Sequence, residues 1–256
     1  GRLLGVLNAA VQSLRCSPRS AASGSLCETL VVDSMLRAYL LPKGYPDTVS
    51  GDYVVYQCFD TMQGLMSYLK GVLCTMSFLR GLGVGSGGGA LHQAMVVWIV
   101  RDGTSCLSGL AAGSPALTAR FASRSHVKQY RLGAETLRGV AGLVELAAST
   151  RGPFLPLICA ATVCNSFAGV VDSCTRSSLM THFARSGNFS DCSAKEGNQD
   201  RAVKLVGIAV ATQFLATVGG SPKAAWAAYG LLTLLHLLFN ALAMRALQLD
   251  DGAKRD

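Results

Sequence analysis

One stretch constrains this chain more than any other: residues 41–80, LPKGYPDTVSGDYVVYQCFDTMQGLMSYLKGVLCTMSFLR. A turn dense in helix breakers runs directly into a long apolar run, and that run carries an acid, Asp60, and a base, Lys70. On a helical period, Gln57, Gln63, Gly64, Ser67, Lys70 and Gly71 fall with Asp60 on about a third of the circumference. The rest of the surface is Val, Leu, Met, Phe and Tyr. Such a helix turns one face to an apolar medium and keeps a small polar stripe for other helices. It points to an all-α fold, a helical membrane bundle.

Composition agrees. Only 15% of the residues are charged and the mean hydropathy is +0.35, against about 25% charged in soluble domains. Glycine is abundant at 28 residues and proline scarce at 7, which fits close helix packing in a bilayer. The net charge is +8, but no Lys/Arg run is interleaved with aromatics. The cations therefore read as loop charge, and nucleic acid is not an expected partner. The nine cysteines are odd in number and include no CxxC pair. Cys58, Cys74, Cys106, Cys159 and Cys164 lie in apolar segments and read as small buried thiols, not as a disulfide framework or a zinc site. That usage favours a reducing compartment on at least one side. No metal set is expected.

Three regions follow. Residues 1–26 form an irregular basic segment, 27–247 the membrane domain and 248–256 a solvated tail. The chain begins at Gly1 without Met, so it reads as a fragment in which no signal peptide can be judged. Residues 27–40 read as a short amphipathic helix ended by Pro42 and Pro46. About six spans follow, at about 53–79, 89–112, 130–150, 153–184, 201–218 and 223–246. The second is interrupted by Arg101-Asp102-Gly103. The third is the weakest, punctuated by Arg131, Glu135, Arg138 and Glu145. Residues 185–200 read as a polar loop. The match to GxGxxG at Gly83, Gly85 and Gly88 lacks a strand before it and reads as a flexible turn between helices. With six spans, loop cations gather on one side, which places both termini inside. A shift of about 105 residues lays Gly64 on Gly169, Ser67 on Asp172, Phe78 on Phe183 and Asp60 on Asn165. Two three-helix repeats would give these matches; chance similarity between helices of like composition accounts for them equally well.

The polar positions are the candidate binding residues: Gln57, Asp60, Gln63 and Lys70 in the first span, Arg101 and Asp102 in the second, and Asn165, Asp172 and Arg176 in the fourth. Charged groups in a bilayer pair or face a cavity. Asp172 and Arg176 are spaced to pair along one helix, and Arg101 and Asp102 are natural partners for Lys70 and Asp60. His92, His182 and His236 lie on different segments and read as hydrogen-bonded core residues. No GxSxG, HExxH or P-loop is present, so no catalytic residue is assigned and no enzyme is expected. Lys195 has the chemistry for a Schiff base, although a loop lysine is usually solvated.

The segments LPKGYPDTVSGDYVVYQCFDTMQGL, LRGLGVG, WIVRDGTSCLSGL and LMTHFARSGNFSDCSAKEGNQDRAVKLVG resemble the root UVB sensitive family, in order, over about residues 36–210. The resemblance places family motif residues at Gly44, Tyr45, Pro46, Asp47, Asp52, Asp60, Arg101, Asp102, Gly103, His182, Arg185, Asn188, Asp191, Lys195 and Gln199. It implies a eukaryotic membrane protein linked to UV-B response and vitamin B6 homeostasis. It implies pairing between members and an organelle membrane, that of a plastid or mitochondrion. It also implies that a presequence and a C-terminal region are missing here. Two readings result. The first is a membrane protein that binds or transports a small polar metabolite, a pyridoxal-type vitamer being one ligand, with no cofactor of its own. The alternative is a non-catalytic scaffold that pairs, as homo- or hetero-oligomer, with another family member.

Overall fold

The breaker turn does what its residues allow. Gly44 takes a φ of 78°, a conformation open to glycine, and a Cβ there would lie 2.7 Å from Thr48 Cγ2. Hydrogen bonds from Tyr45 N to Pro42 O and from Asp47 N to Gly44 O close the turn. Asp52 then stands at the N-cap of α1, Tyr53–Gly81. The structure, a computed structural model, describes residues 34, 36–84, 91–150 and 153–249. The expectations for residues 1–26, for most of 27–35, for Gly85 and Gly88 and for 250–256 lie outside these residues.

Beyond α1 come α2 (Leu91–Ala112), α3 (Pro115–Phe121) and a 3-10 turn (Arg124–His126). They are followed by α4 (Val127–Ala148), α5 (Phe154–Phe183), α6 (Phe189–Val218) and α7 (Pro222–Ala246). Among the described residues there is no strand, and one isolated bridge joins Val49 to Ala184. The fold is all-α.

Several expectations are corrected. Among the described residues three helices, α5, α6 and α7, are long and apolar enough to cross a membrane, not six. The reason lies in the other three long helices. Asp60 and Lys70 in α1, Arg101 and Asp102 in α2, and Arg131, Glu135, Arg138 and Glu145 in α4 dilute their hydropathy. The segment 185–200 is a loop only to Asn188; α6 begins at Phe189 and carries the polar run into its first turns. Arg101-Asp102-Gly103 does not interrupt α2, which is continuous through it. The apolar-segment cysteines are not buried: Cys58 and Cys106 are exposed, and Cys74, Cys159 and Cys164 are partly so.

The packing interleaves the chain's two halves. α1 lies against α7, α6 and α4, while α5 lies against α4 and α2. α1 and α5 run in opposite directions. At one end Ser50 N donates to Phe183 O at 3.1 Å; at the other, Phe78 and Phe154 stack with centroids 5.9 Å apart. Tyr53, Tyr56, Leu179, Phe183 and Met244 form the core of the first end. Leu69, Leu73, Leu146 and Tyr229 fill the middle. Close helix approach occurs at Gly142, where a Cβ would sit 1.8 Å from Tyr229 Oη, and not at Gly169, where it would meet nothing within 4 Å.

Candidate functional site

The polar stripe of α1 meets the charges of α4, α5 and α6 at a cleft of about 250 Å³. Asp60, Gln63, Gly64 and Ser67 line it from α1, and Arg131, Glu135 and Arg138 from α4. Asp172 and Arg176 come from α5, and Asp200 and Lys204 from α6. Counted at about 1.5 Å per helical residue, Asp60, Arg131, Asp172 and Asp200 lie on the order of 6–17 Å inside the end where α1 starts.

Arg131 is the hub. Its side chain is 3% exposed, and its Nη2 lies 3.1 Å from Asp60 Oδ1 while its Nη1 lies 2.5 Å from Asp172 Oδ1. Tyr56 Oη donates to the same Asp60 oxygen at 3.4 Å. Arg138 sits between two carboxylates, 3.5 Å from Glu135 and 3.7 Å from Asp172. Arg176 pairs with Asp200 at 2.8 Å and with Glu196 at 3.6 Å. The expected pair of Asp172 with Arg176 is thus replaced by partners on neighbouring helices. Asp60 likewise pairs with Arg131, not with Arg101. Lys70 is 4% exposed and its Nζ has no hydrogen-bond partner. Gln57 is also buried, its Nε2 unpartnered.

The other candidates fall elsewhere. Arg101, Asp102 and Asn165 line a second cleft of about 320 Å³ with Trp98, Ser105, Thr162 and Ser166. There Glu145 accepts from Arg101 Nη2 at 3.4 Å and from Asn165 Nδ2 at 3.2 Å. Lys195 stands at a third hollow, of about 440 Å³, with Lys43, Tyr45 and Asp191. Its ammonium donates to Ala38 O.

Most family motif residues build a clasp at the end where α1 starts. Asp191 accepts from Lys43 N at 2.6 Å, and Gln199 Nε2 donates to Leu40 O at 2.6 Å. Asn198 donates to Tyr39 O at 3.0 Å, and Arg185 N to Thr48 O at 3.2 Å. Asn188 is the N-cap residue of α6. Asp52 gathers Ser50 Oγ, His182 Nε2 at 3.0 Å and Gln248 N at 2.8 Å. Burial alone would raise the Asp52 carboxyl, but these donors outweigh it and hold it below its ordinary value. Gly44, Tyr45, Pro46 and Asp47 supply the turn that the clasp fastens.

Chemically the cleft is an exchangeable set of ion pairs. Arg138 and Arg176, with side chains 29% and 33% exposed, are its accessible guanidiniums. Among the described residues no group of His, Cys, Asp or Glu is placed to hold a metal. Sequence reasoning missed Arg131, Glu135, Arg138, Asp200 and Lys204. For Arg131, Glu135 and Arg138 the one signal was charge recurring at helical spacing in 131–145.

A family model described as the vitamin B6 photo-protection and homoeostasis domain matches residues 28–251. The chain is 33% identical over 220 residues to protein root UVB sensitive 3 of Arabidopsis thaliana, covering 85% of this chain and 49% of that protein. It is 33% identical over 226 residues to RUS family member 1 of Dictyostelium discoideum, covering 84% and 41%. Protein root UVB sensitive 2, chloroplastic, of Arabidopsis thaliana is 28% identical over 223 residues, covering 86% and 49%. The chain spans about half the length or less of these relatives. No solved structure matches it significantly.

Proposed function

The chain belongs to the root UVB sensitive family, and from that premise we propose that it is an integral membrane protein whose charged cleft binds, and passes across the bilayer, a small anionic metabolite. The observation that carries the reading is the convergence of Asp60 and Asp172 on one cavity beside Arg138 and Arg176. A bundle that needed only cohesion would seal each acid against its base without leaving space. An anion entering the cleft displaces Asp172 from Arg138, the longest of the pairs at 3.7 Å, and Arg176 lies across from it. Phosphorylated pyridoxal-type vitamers fit this chemistry: they combine an anionic phosphate with a ring that can lie on Tyr68, which also lines the cleft. The family description, which names vitamin B6, supports that ligand class.

The membrane reading rests on α5, α6 and α7 and on outward apolar rows such as Leu205, Ile208, Leu231, Leu234 and Leu238. An organelle membrane, plastid or mitochondrial, is the proposed location; one relative carries the word chloroplastic in its name. No cofactor and no reaction are assigned: neither the family description nor the relatives' names specify a reaction.

Purified protein is screened for thermal stabilisation by pyridoxal phosphate, since a ligand that binds only the folded state raises apparent stability by mass action. A dose-dependent rise that is lost in Arg138→Ala and Arg176→Ala is expected, followed by saturable uptake into vesicles. A flat response from folded protein sinks the reading.

A second reading is favoured by one observation. α2 is exposed along Leu91, Met95, Ile99, Leu107 and Leu110, a row that a second family member can cover. On that reading the chain is a non-catalytic scaffold, and cross-linking from α2 in vesicles captures a homo- or hetero-oligomer with no response to vitamers.

A further inference from the structure

We propose that the Glu135–His236 pair is a proton-binding site coupled to the cleft. Both side chains are enclosed, at 1% and 0% exposure. His236 Nε2 lies 2.9 Å from Glu135 Oε2, and Nδ1 lies 3.3 Å from the backbone oxygen of Gln63. Both ring nitrogens therefore face acceptors. A neutral imidazole carries one N–H, so a neutral ring beside a carboxylate leaves one of these contacts without a hydrogen. One more proton, taken from water and held between Nε2 and Oε2, satisfies both. No other bond forms or breaks.

The neighbours define what that proton changes. From α1 Lys70 acts electrostatically on Glu135, and its ammonium has no hydrogen-bond partner. From α4 it faces Arg138, at 3.5 Å from Glu135 Oε1, with Arg131 beside it. α5 and α6 line the same cleft as Glu135 with Asp172, Arg176, Asp200 and Lys204, and α6 adds the uncharged Ala211, Phe214, Leu215 and Val218 to the cluster around Tyr229 and Leu232. Glu135 thus has one oxygen on His236 and the other on a guanidinium of the cleft. When the proton is bound, the charge of Glu135 is offset by the ring, and Arg138 is left to Asp172 and to an incoming anion. When it leaves, Glu135 competes for Arg138 at full charge. Proton and anion therefore favour each other's binding, and the coupling is reciprocal. This last step rests on the anion-binding reading; the proton site itself does not.

The test uses the full chain in phosphatidylcholine vesicles with 15N-labelled histidine rings, followed by NMR across about pH 5 to 8, without ligand. The His236 signals are assigned by their loss in His236→Gln. If that variant does not fold, single Gln variants of His92, His126 and His182 assign the other three rings. The expected result is a His236 ring protonated on both nitrogens at the acid end, with that form lost in Glu135→Gln. A ring with one proton at every pH, or the same titration in Glu135→Gln, overturns the site. Pyridoxal phosphate is then titrated at each pH. Affinity is expected to rise toward acid by up to about tenfold per pH unit for one linked proton, and to lose that dependence in Glu135→Gln. Affinity independent of pH in the wild type overturns the coupling. If the ring titrates with Glu135 while pyridoxal phosphate binds at no pH, the proton site stands and the anion reading falls.

Discussion

Replacing Arg131 with methionine removes the one group that answers both Asp60 and Asp172. Asp60 is then left without a cation inside the bundle and Asp172 keeps only Arg138, at 3.7 Å, which costs about 3–5 kcal/mol. Unfolding in detergent micelles should show that loss. The triple variant with Asp60→Asn and Asp172→Asn should recover most of it, because buried ion pairs are replaceable while half-pairs are not. Equal stability in Arg131→Met and the wild type would mean the pairs are loose. Asp52 makes a different prediction. Its carboxyl is held below the ordinary value of 3.8 in the folded chain. Its stabilisation is therefore complete above that value and is lost as pH falls through the lower, folded one. Acid unfolding should begin at the clasp, and Asp52→Asn should flatten that part of the pH profile. Asp60 and Asp172 were legible in the sequence, because a charge in an apolar run is conspicuous. Their partners were not. Periodicity places a residue on a face of its own helix and says nothing of which helix will stand opposite, so Arg131 read as a flaw in a weak span.

At the scale of elements, α4 and α7 meet through a glycine. A Cβ at Gly142 would overlap Tyr229 Oη, whose hydroxyl donates to Gly139 O at 2.9 Å. Gly142→Val should lower stability by about 1–3 kcal/mol, read as a drop in Tm, whereas Gly169→Val should leave it nearly unchanged. The reverse order would refute this account of the contact. The long helices themselves were largely legible: the apolar runs at 53–79, 153–184 and 223–246 differ from α1, α5 and α7 by at most two residues at either end. The start of α6 was not. Lys195, Asn198 and Gln199 look solvated in a sequence, yet their side chains donate to backbone oxygens of Ala38, Tyr39 and Leu40. Polar residues that serve a distant backbone are indistinguishable, in a single sequence, from polar residues that serve water.

For the molecule as a whole, the end assignments make a topology test. Gln248 N donates to Asp52, so the start of α1 and the residues after α7 share an end, and Ser221 caps α7 at the other. In sealed vesicles, an impermeant thiol reagent added outside should reach cysteines at 48 and 248 together and a cysteine at 221 only when the membrane is opened, or the converse. Labelling of all three from one side would exclude a spanning bundle. The interleaved packing has a consequence for biosynthesis. α1 is made early, but two of its neighbours, α6 and α7, are the last helices of the bundle to be made. At about 5–20 residues per second, the first helix waits on the order of ten seconds or more for the last. On the proposed membrane reading, Asp60 must be sheltered by water, by lipid headgroups or by the insertion machinery until Arg131 of α4 reaches it.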